Sequence, residues 1–189
     1  SGEPLVNSAK DRQLVAQAAW LSLAFSRYQS RTKDSQFEKT RNLLNDWVMK
    51  QKRNEQGGIA MGTGCYAGDN GYGKNIRLDD YSNVFATEHN IDAFAALSNS
   101  NRPEDHAEAI KIKKYLLARF DPGSGLFDGG FKTADERPLD AQTWMVLALS
   151  KEDRVNNANN LTSALDKIIS KCEISATVNG ASVKGLSSC

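Results

Sequence analysis

From Thr87 to Leu97 the chain reads T-E-H-N-I-D-A-F-A-A-L, and the fold turns on how this stretch is accommodated. Ile91, Ala93, Phe94, Ala95, Ala96 and Leu97 cover most of a helical circumference, so a helix here must be covered on several sides. Thr87 stands where an N-cap is expected, and Glu88 just inside it complements the positive end of the helix dipole. His89, Asn90 and Asp92 crowd further polar groups into the same end. A buried helix whose mouth carries two acids, a histidine and an amide is a candidate active-site wall.

Working back from this helix, residues 54–86 form a long glycine-rich loop with aromatic anchors at Tyr66, Tyr72, Tyr81 and Phe85. Loops of that length in a compact domain commonly carry function. Gly62, Gly64 and Gly68 have the wrong spacing for a dinucleotide fingerprint, and Asp69-Asn70-Gly71 lacks the rest of a calcium loop. Further upstream, Leu14, Ala18, Leu21, Phe25 and Tyr28 recur at helical spacing, widened by Val15, Ala19, Trp20, Leu23 and Ala24, which predicts a largely buried helix from Lys10 to Gln29. Ser35 can cap a second helix reaching about Arg53, with Phe37, Leu43, Leu44, Trp47 and Val48 inward and Glu38, Arg41, Asn45 and Asp46 outward.

Downstream the same alternation recurs. Pro103 suits the first turn of an amphipathic helix reaching Phe120, with Ile110, Leu116, Leu117 and Phe120 inward. A second glycine-rich loop, G-S-G-L-F-D-G-G-F-K, then leads to Pro138 and the apolar segment L-D-A-Q-T-W-M-V-L-A-L, whose first turn holds Asp140 and Gln142. A final helix from about Asn156 carries Ala158, Leu161, Leu165, Ile168, Ile169 and Cys172 on one stripe. Residues 173–189 alternate in polarity around Asn179-Gly180 and read as a hairpin or extended tail. The pattern predicts an all-α fold of helical hairpins in two layers, inner helices covered by outer ones, with long glycine-rich loops at the inner-helix mouths.

Bulk properties set the bounds. With 189 residues, 40% hydrophobic and 25% charged, the chain suits a single helical domain. A net charge of +1 with mixed signs offers no basic face for nucleic acid, and no apolar run approaches a membrane span. No signal peptide is read. Cys65, Cys172 and Cys189 are too few and too scattered for a disulfide framework or a zinc site, and free thiols are the favoured reading over one pair and an odd thiol.

The segments from Thr87 and Leu139, with G-L-F-D-G-G-F between them, resemble the α/α-toroid proteins of six-hairpin glycosidase type. That resemblance implies a glycan or oligosaccharide ligand held where inner-helix mouths and loops meet, and it extends to hydrolases, lyases and epimerases. Only three hairpins can be counted here, so the expected architecture is a partial toroid, either a fragment whose partner half lies beyond Cys189, which is favoured, or an open half-toroid that covers its inner face by other means. A secreted or periplasmic home is implied by the resemblance alone.

Glycoside hydrolysis generally needs two carboxyl groups. Glu88 is the first choice for acid/base work, with Asp80 or Asp140 as its partner, while Asp79, Asp92 and Asp128 also belong to the proposed rim. His89, Asp92 and Gln142 are candidates for binding substrate, although a structural network holding Asp92 through His89, Asn90 or Gln142 is the favoured reading. Tyr66, Tyr72 and Tyr81 are candidates for stacking on sugar rings. No cofactor is expected, and no metal, since Glu88, His89 and Asp92 on one helical turn do not converge. The reading of another class is a non-catalytic helical-repeat module that binds a polysaccharide or a protein, its acids being structural.

Overall fold

The computed structural model describes residues 13–63, 66–69, 75–78, 81–130, 138–179 and 181–186. It separates into two compact units, Ser1–Leu116 and Leu117–Cys189. Helices dominate both, and the described strands are short pairs.

In the first unit, β1 (Gln13–Leu14) leads into α1 (Val15–Thr32), which is followed by α2 (Glu38–Met49). β2 (Gly62–Thr63) pairs antiparallel with β1, matching Gln13 to Thr63 and Leu14 to Gly62. This pairing fixes where α1 begins, five residues later than the apolar spacing alone suggests. β3 (Tyr66–Asp69) and β4 (Asn75–Leu78) form an antiparallel ribbon within the long loop. α3 (Thr87–Ser98) and α4 (Pro103–Leu117) complete the unit. α1 ends at Lys33, whose φ of 63° is left-handed and whose amide closes on the Gln29 carbonyl at 2.9 Å.

α3 is the central element. Ile91, Ala93, Phe94, Ala96 and Leu97 are buried together with Thr87, His89, Asn90 and Asp92, as its all-round apolar composition requires. α1 packs on both α2 and α3. Its buried face is Val15, Ala19 and Ser22, while Trp20 and Leu21 stand about half exposed. Ile110 is likewise exposed, and Ala109, Ile112, Tyr115 and Leu116 form the inner face of α4.

The assignment of α2's polar residues to the outside is overturned for Arg41 and Asn45, both buried. The cause is a polar cross-brace. Ser22 Oγ donates to Asn45 Oδ1 at 2.6 Å, and Asn45 Nδ2 donates to Asp105 Oδ2 at 2.8 Å. Arg102 then grips Asp105 through Nη2 at 2.6 Å and Nε at 3.0 Å and reaches Asp46 at 2.8 Å. Burial alone pushes the Asp105 carboxyl up, but hydrogen bonds from Arg102, Ser100 and Asn45 outweigh it and hold the group below its ordinary value. Satisfied on every side, these groups tie α1, α2 and α4 together without leaving an orphaned charge.

The second unit contains β5 (Phe120–Asp121) paired with β6 (Leu126–Phe127), then α5 (Leu139–Ala148), α6 (Lys151–Asn156) and α7 (Ala158–Cys172). α6 escaped the periodicity reading because it is only six residues long, and it is capped by Ser150, whose side chain accepts from the Asp153 amide. α7 buries Leu161, Ala164, Ile168 and Cys172. β7 (Glu173–Val178) and β8 (Ala181–Leu186) then form a hairpin, with Asn179 at a left-handed φ of 51° in its turn.

The free-thiol reading is corrected at Cys172, which is disulfide-bonded. Separation along the sequence carries no information about separation in space, and the other two cysteines, Cys65 and Cys189, lie outside the described residues. Among the described residues no helix is long and apolar enough to cross a membrane.

Candidate functional site at the mouth of the inner helices

In the first unit the starts of α1 and α3 meet at one carbonyl. Met61 O accepts the Val15 amide at 2.9 Å, and His89 Nδ1 stands 3.2 Å from the same oxygen and 3.4 Å from the Ala16 amide. Met61 in turn donates its amide to Val84 O at 2.7 Å. The glycine-rich loop is thereby stitched to both helix mouths. Gly62 beside it has φ +151°, and a Cβ there would lie 2.0 Å from Gln13 O, so only glycine fits the crossing with β1.

His89 is almost fully buried, and that burial lowers its pKa from 6.5 to about 4 against the opposing pull of the Met61 carbonyl. It is therefore neutral at physiological pH. Met61 O is already satisfied by Val15, whereas the Ala16 amide in the first turn of α1 needs an acceptor. In the neutral ring a proton on Nδ1 is donated to Met61 O, whereas a proton on Nε2 leaves Nδ1 to accept the Ala16 amide and faces Glu88 Oε1, 3.6 Å away. Glu88 is 27% exposed at its side chain, so the mouth presents a solvent-accessible carboxylate backed by a neutral, buried imidazole.

Thr87 does not cap the helix. It is the first helical residue and is buried, and Ala86 occupies the cap position without a side-chain bond. The anchoring role falls to Asn90. Its Oδ1 accepts the Ile59 amide at 2.7 Å, while Nδ2 donates to Ile59 O at 2.9 Å and to Ala86 O at 2.8 Å. One buried amide thus pairs with the backbone of the loop as a strand would. On the loop's other side Ile59 forms a β-bridge with Arg53.

The second unit repeats the device. Gln142 Oε1 accepts the Phe127 amide at 2.8 Å, and Nε2 donates to Phe127 O at 2.8 Å and to Pro138 O at 3.3 Å. In both helices the amide sits at the fourth position and bonds back four residues to the residue before the helix. The sequence reading anticipates a structural network through Asn90 or Gln142, but not its backbone partners at Ile59 and Phe127. The available signal was the equal placement of Asn90 and Gln142 behind two glycine-rich loops.

The remaining candidates divide clearly. Gln142 is fully buried and committed to backbone, and Tyr81 lies in the core at 5% exposure. Asp92 is buried in the body of α3, one turn beyond Glu88. Asp140 is half-buried in the first turn of α5 and accepts the Ala141 amide at 2.8 Å. Asp128 is paired with Arg119 at 2.7 Å and accepts the Gly130 amide at 2.7 Å. Tyr66 opens β3, while Tyr72, Asp79 and Asp80 lie outside the described residues. Among the described residues no group of three or more His, Cys, Asp or Glu side chains is arranged to hold a metal ion.

No protein-family model and no curated protein matches the sequence. Solved structures do match the fold. D-mannose isomerase superposes with a TM-score of 0.61 at 14% identity, over 85% of this chain and 41% of its own. The unsaturated glucuronyl hydrolase of Bacillus sp. GL1, responsible for glycosaminoglycan degradation, superposes with a TM-score of 0.60 at 12% identity, over 89% of this chain and 49% of its own. The chain therefore spans about half the length of the solved structures it matches. Both are α/α toroids of six-hairpin glycosidase-like type, and the fold of this chain is that of a partial α/α toroid.

Proposed function

We propose that the chain is part of a carbohydrate-active protein in which Glu88, at the mouth of α3, exchanges a proton with a bound glycan. The observation that carries this reading is the pairing of an accessible Glu88 carboxylate with the buried, neutral His89, 3.6 Å away, on a fold shared with carbohydrate-active enzymes. Its partner carboxylate would be Asp80, with Tyr66 and Tyr72 as stacking surfaces. Hydrolysis, elimination and epimerisation all need such a group, and they differ in where its proton goes. Holding His89 neutral gives Glu88 an oriented dipole without a compensating charge.

Turnover on a panel of oligosaccharides, compared between wild type and Glu88→Gln, tests this. The substitution keeps the size and removes the proton exchange, and a loss of about 100-fold or more in kcat is expected. Unchanged kcat would remove Glu88 from the chemistry. A second reading, a non-catalytic module binding a polysaccharide or protein, draws support from Asn90, Gln142 and Asp128, all committed to backbone or ion pairs. On that reading Glu88→Gln lowers thermal stability and leaves no activity to lose.

A further inference from the structure

We infer that the first unit carries a second binding site, for a small oxyanion, in a polar pocket at the opposite end of α3 from Glu88. The pocket has a volume of about 290 Å³ and is walled by Ser26, Arg27 and Ser30 of α1, Arg41 of α2, and Asn99 and Asn101 of the turn between α3 and α4. Gln29 completes it, and no carboxylate lines it.

Three observations converge. The Arg41 guanidinium is only 2% exposed, yet among the described residues its carboxylate contact is Glu38 at 3.4 Å, which is 44% exposed. Its other partners are the neutral side-chain carbonyls of Gln29 at 2.9 Å and Asn42 at 3.2 Å. A buried cation ordinarily has a close counter-charge, and here the protein supplies only a loose one. Second, Ser26 Oγ is buried without a hydrogen-bond partner among the described residues, a donor held in reserve at the pocket wall. Third, the helix-end carbonyls that would compete for the guanidiniums are already taken. Lys33 closes on Gln29 O and Ser30 O, Thr32 on Tyr28 O, and Asn99 caps Ala95 O with its side chain.

The missing group is therefore an anion with several acceptor oxygens. It pairs with the planar fork of Arg41, takes the Ser26 hydroxyl, and faces the exposed Arg27 at the entrance. Phosphate or sulfate esters and sugar carboxylates share this chemistry. The site rests on no part of the glycan reading at Glu88.

Isothermal titration of the full chain with inorganic phosphate, sulfate and D-glucuronate, each against sodium chloride at matched ionic strength, tests it. Saturable binding of at least one oxyanion is expected, and the tightest of the three identifies the source. Ser26→Ala and Arg27→Gln leave the packed faces of α1 intact and should each weaken binding about tenfold. Arg41→Gln should abolish it, and the two milder variants keep the test open if that protein does not fold. Glu88→Gln should bind phosphate and sulfate as wild type does. No saturable binding of any oxyanion, or equal affinity in the Ser26 and Arg27 variants, overturns the proposal.

Discussion

Replacing Asn90 with alanine should be among the most damaging single changes in the first unit, although it removes no apolar contact of note. The substitution strips partners from both the N–H and the C=O of Ile59, a residue with 0% exposure and hence no recourse to water. Each orphaned buried group costs about 1–3 kcal/mol, so the pair comes to about 4 kcal/mol before any cavity is counted. Against a total stability of about 5–15 kcal/mol for a domain, that is a large fraction. Urea denaturation followed by circular dichroism measures the loss, and hydrogen exchange at the Ile59 amide reports whether the loop has come free of α3. Asn90→Asp sharpens the test. It preserves the acceptor that meets the Ile59 amide but sets a second oxygen against the Ile59 and Ala86 carbonyls, so it should cost at least as much despite near-identical shape. A loss below about 1 kcal/mol in the alanine variant, with Ile59 still protected from exchange, would refute the reasoning.

Other outcomes follow from the same geometry. Gln142→Ala should free the Phe127 backbone and lower the stability of the second unit by about 2–4 kcal/mol, visible as loss of exchange protection at Phe127. Gly62→Ala should cost about 3 kcal/mol or more and lower the melting temperature, because its Cβ would stand 2.0 Å from Gln13 O. The pKa of His89 lies near 4 when folded and 6.5 when unfolded, so the unfolded chain binds more protons between those values. The stabilisation from keeping His89 neutral is fully present above about pH 6.5 and is lost as pH falls toward 4, about 3 kcal/mol in all. Urea midpoints measured from pH 7 to 4.5 should fall for wild type and flatten in His89→Gln, and parallel slopes would contradict the assignment.

The inner helix from Thr87 was legible because its apolar residues leave no polar face, a signal that survives any uncertainty in register. The faces of α1 and α2 were legible only in part. Val15, Ala19 and Val48 are buried as the periodicity predicts, but Trp20, Leu21 and Leu43 are exposed, and Ser22, Arg41 and Asn45 are buried with the core instead. What decided those faces was the chain of bonds from Ser22 through Asn45 to Asp105, which joins residues far apart in sequence and leaves no local trace. The candidate site divides in the same way. Glu88 and His89 could be picked out because polar groups at the mouth of an apolar helix are conspicuous. A structural role for Asn90 or Gln142 could be anticipated too, but the partners of Asn90, Gln142 and Asp128 could not, because each bonds a backbone group brought in by a loop of irregular conformation.

The two amides at the inner-helix mouths bind the loops through backbone N–H and C=O alone. A clamp of that kind is indifferent to which side chains the loop carries beyond the clamped residue, provided that glycine remains at crossings such as Gly62. Loop position and loop chemistry are thereby uncoupled. Substitutions that alter what the loop displays leave its anchorage to α3 or α5 untouched, so the same framework can exchange one ligand preference for another without having to refold around it.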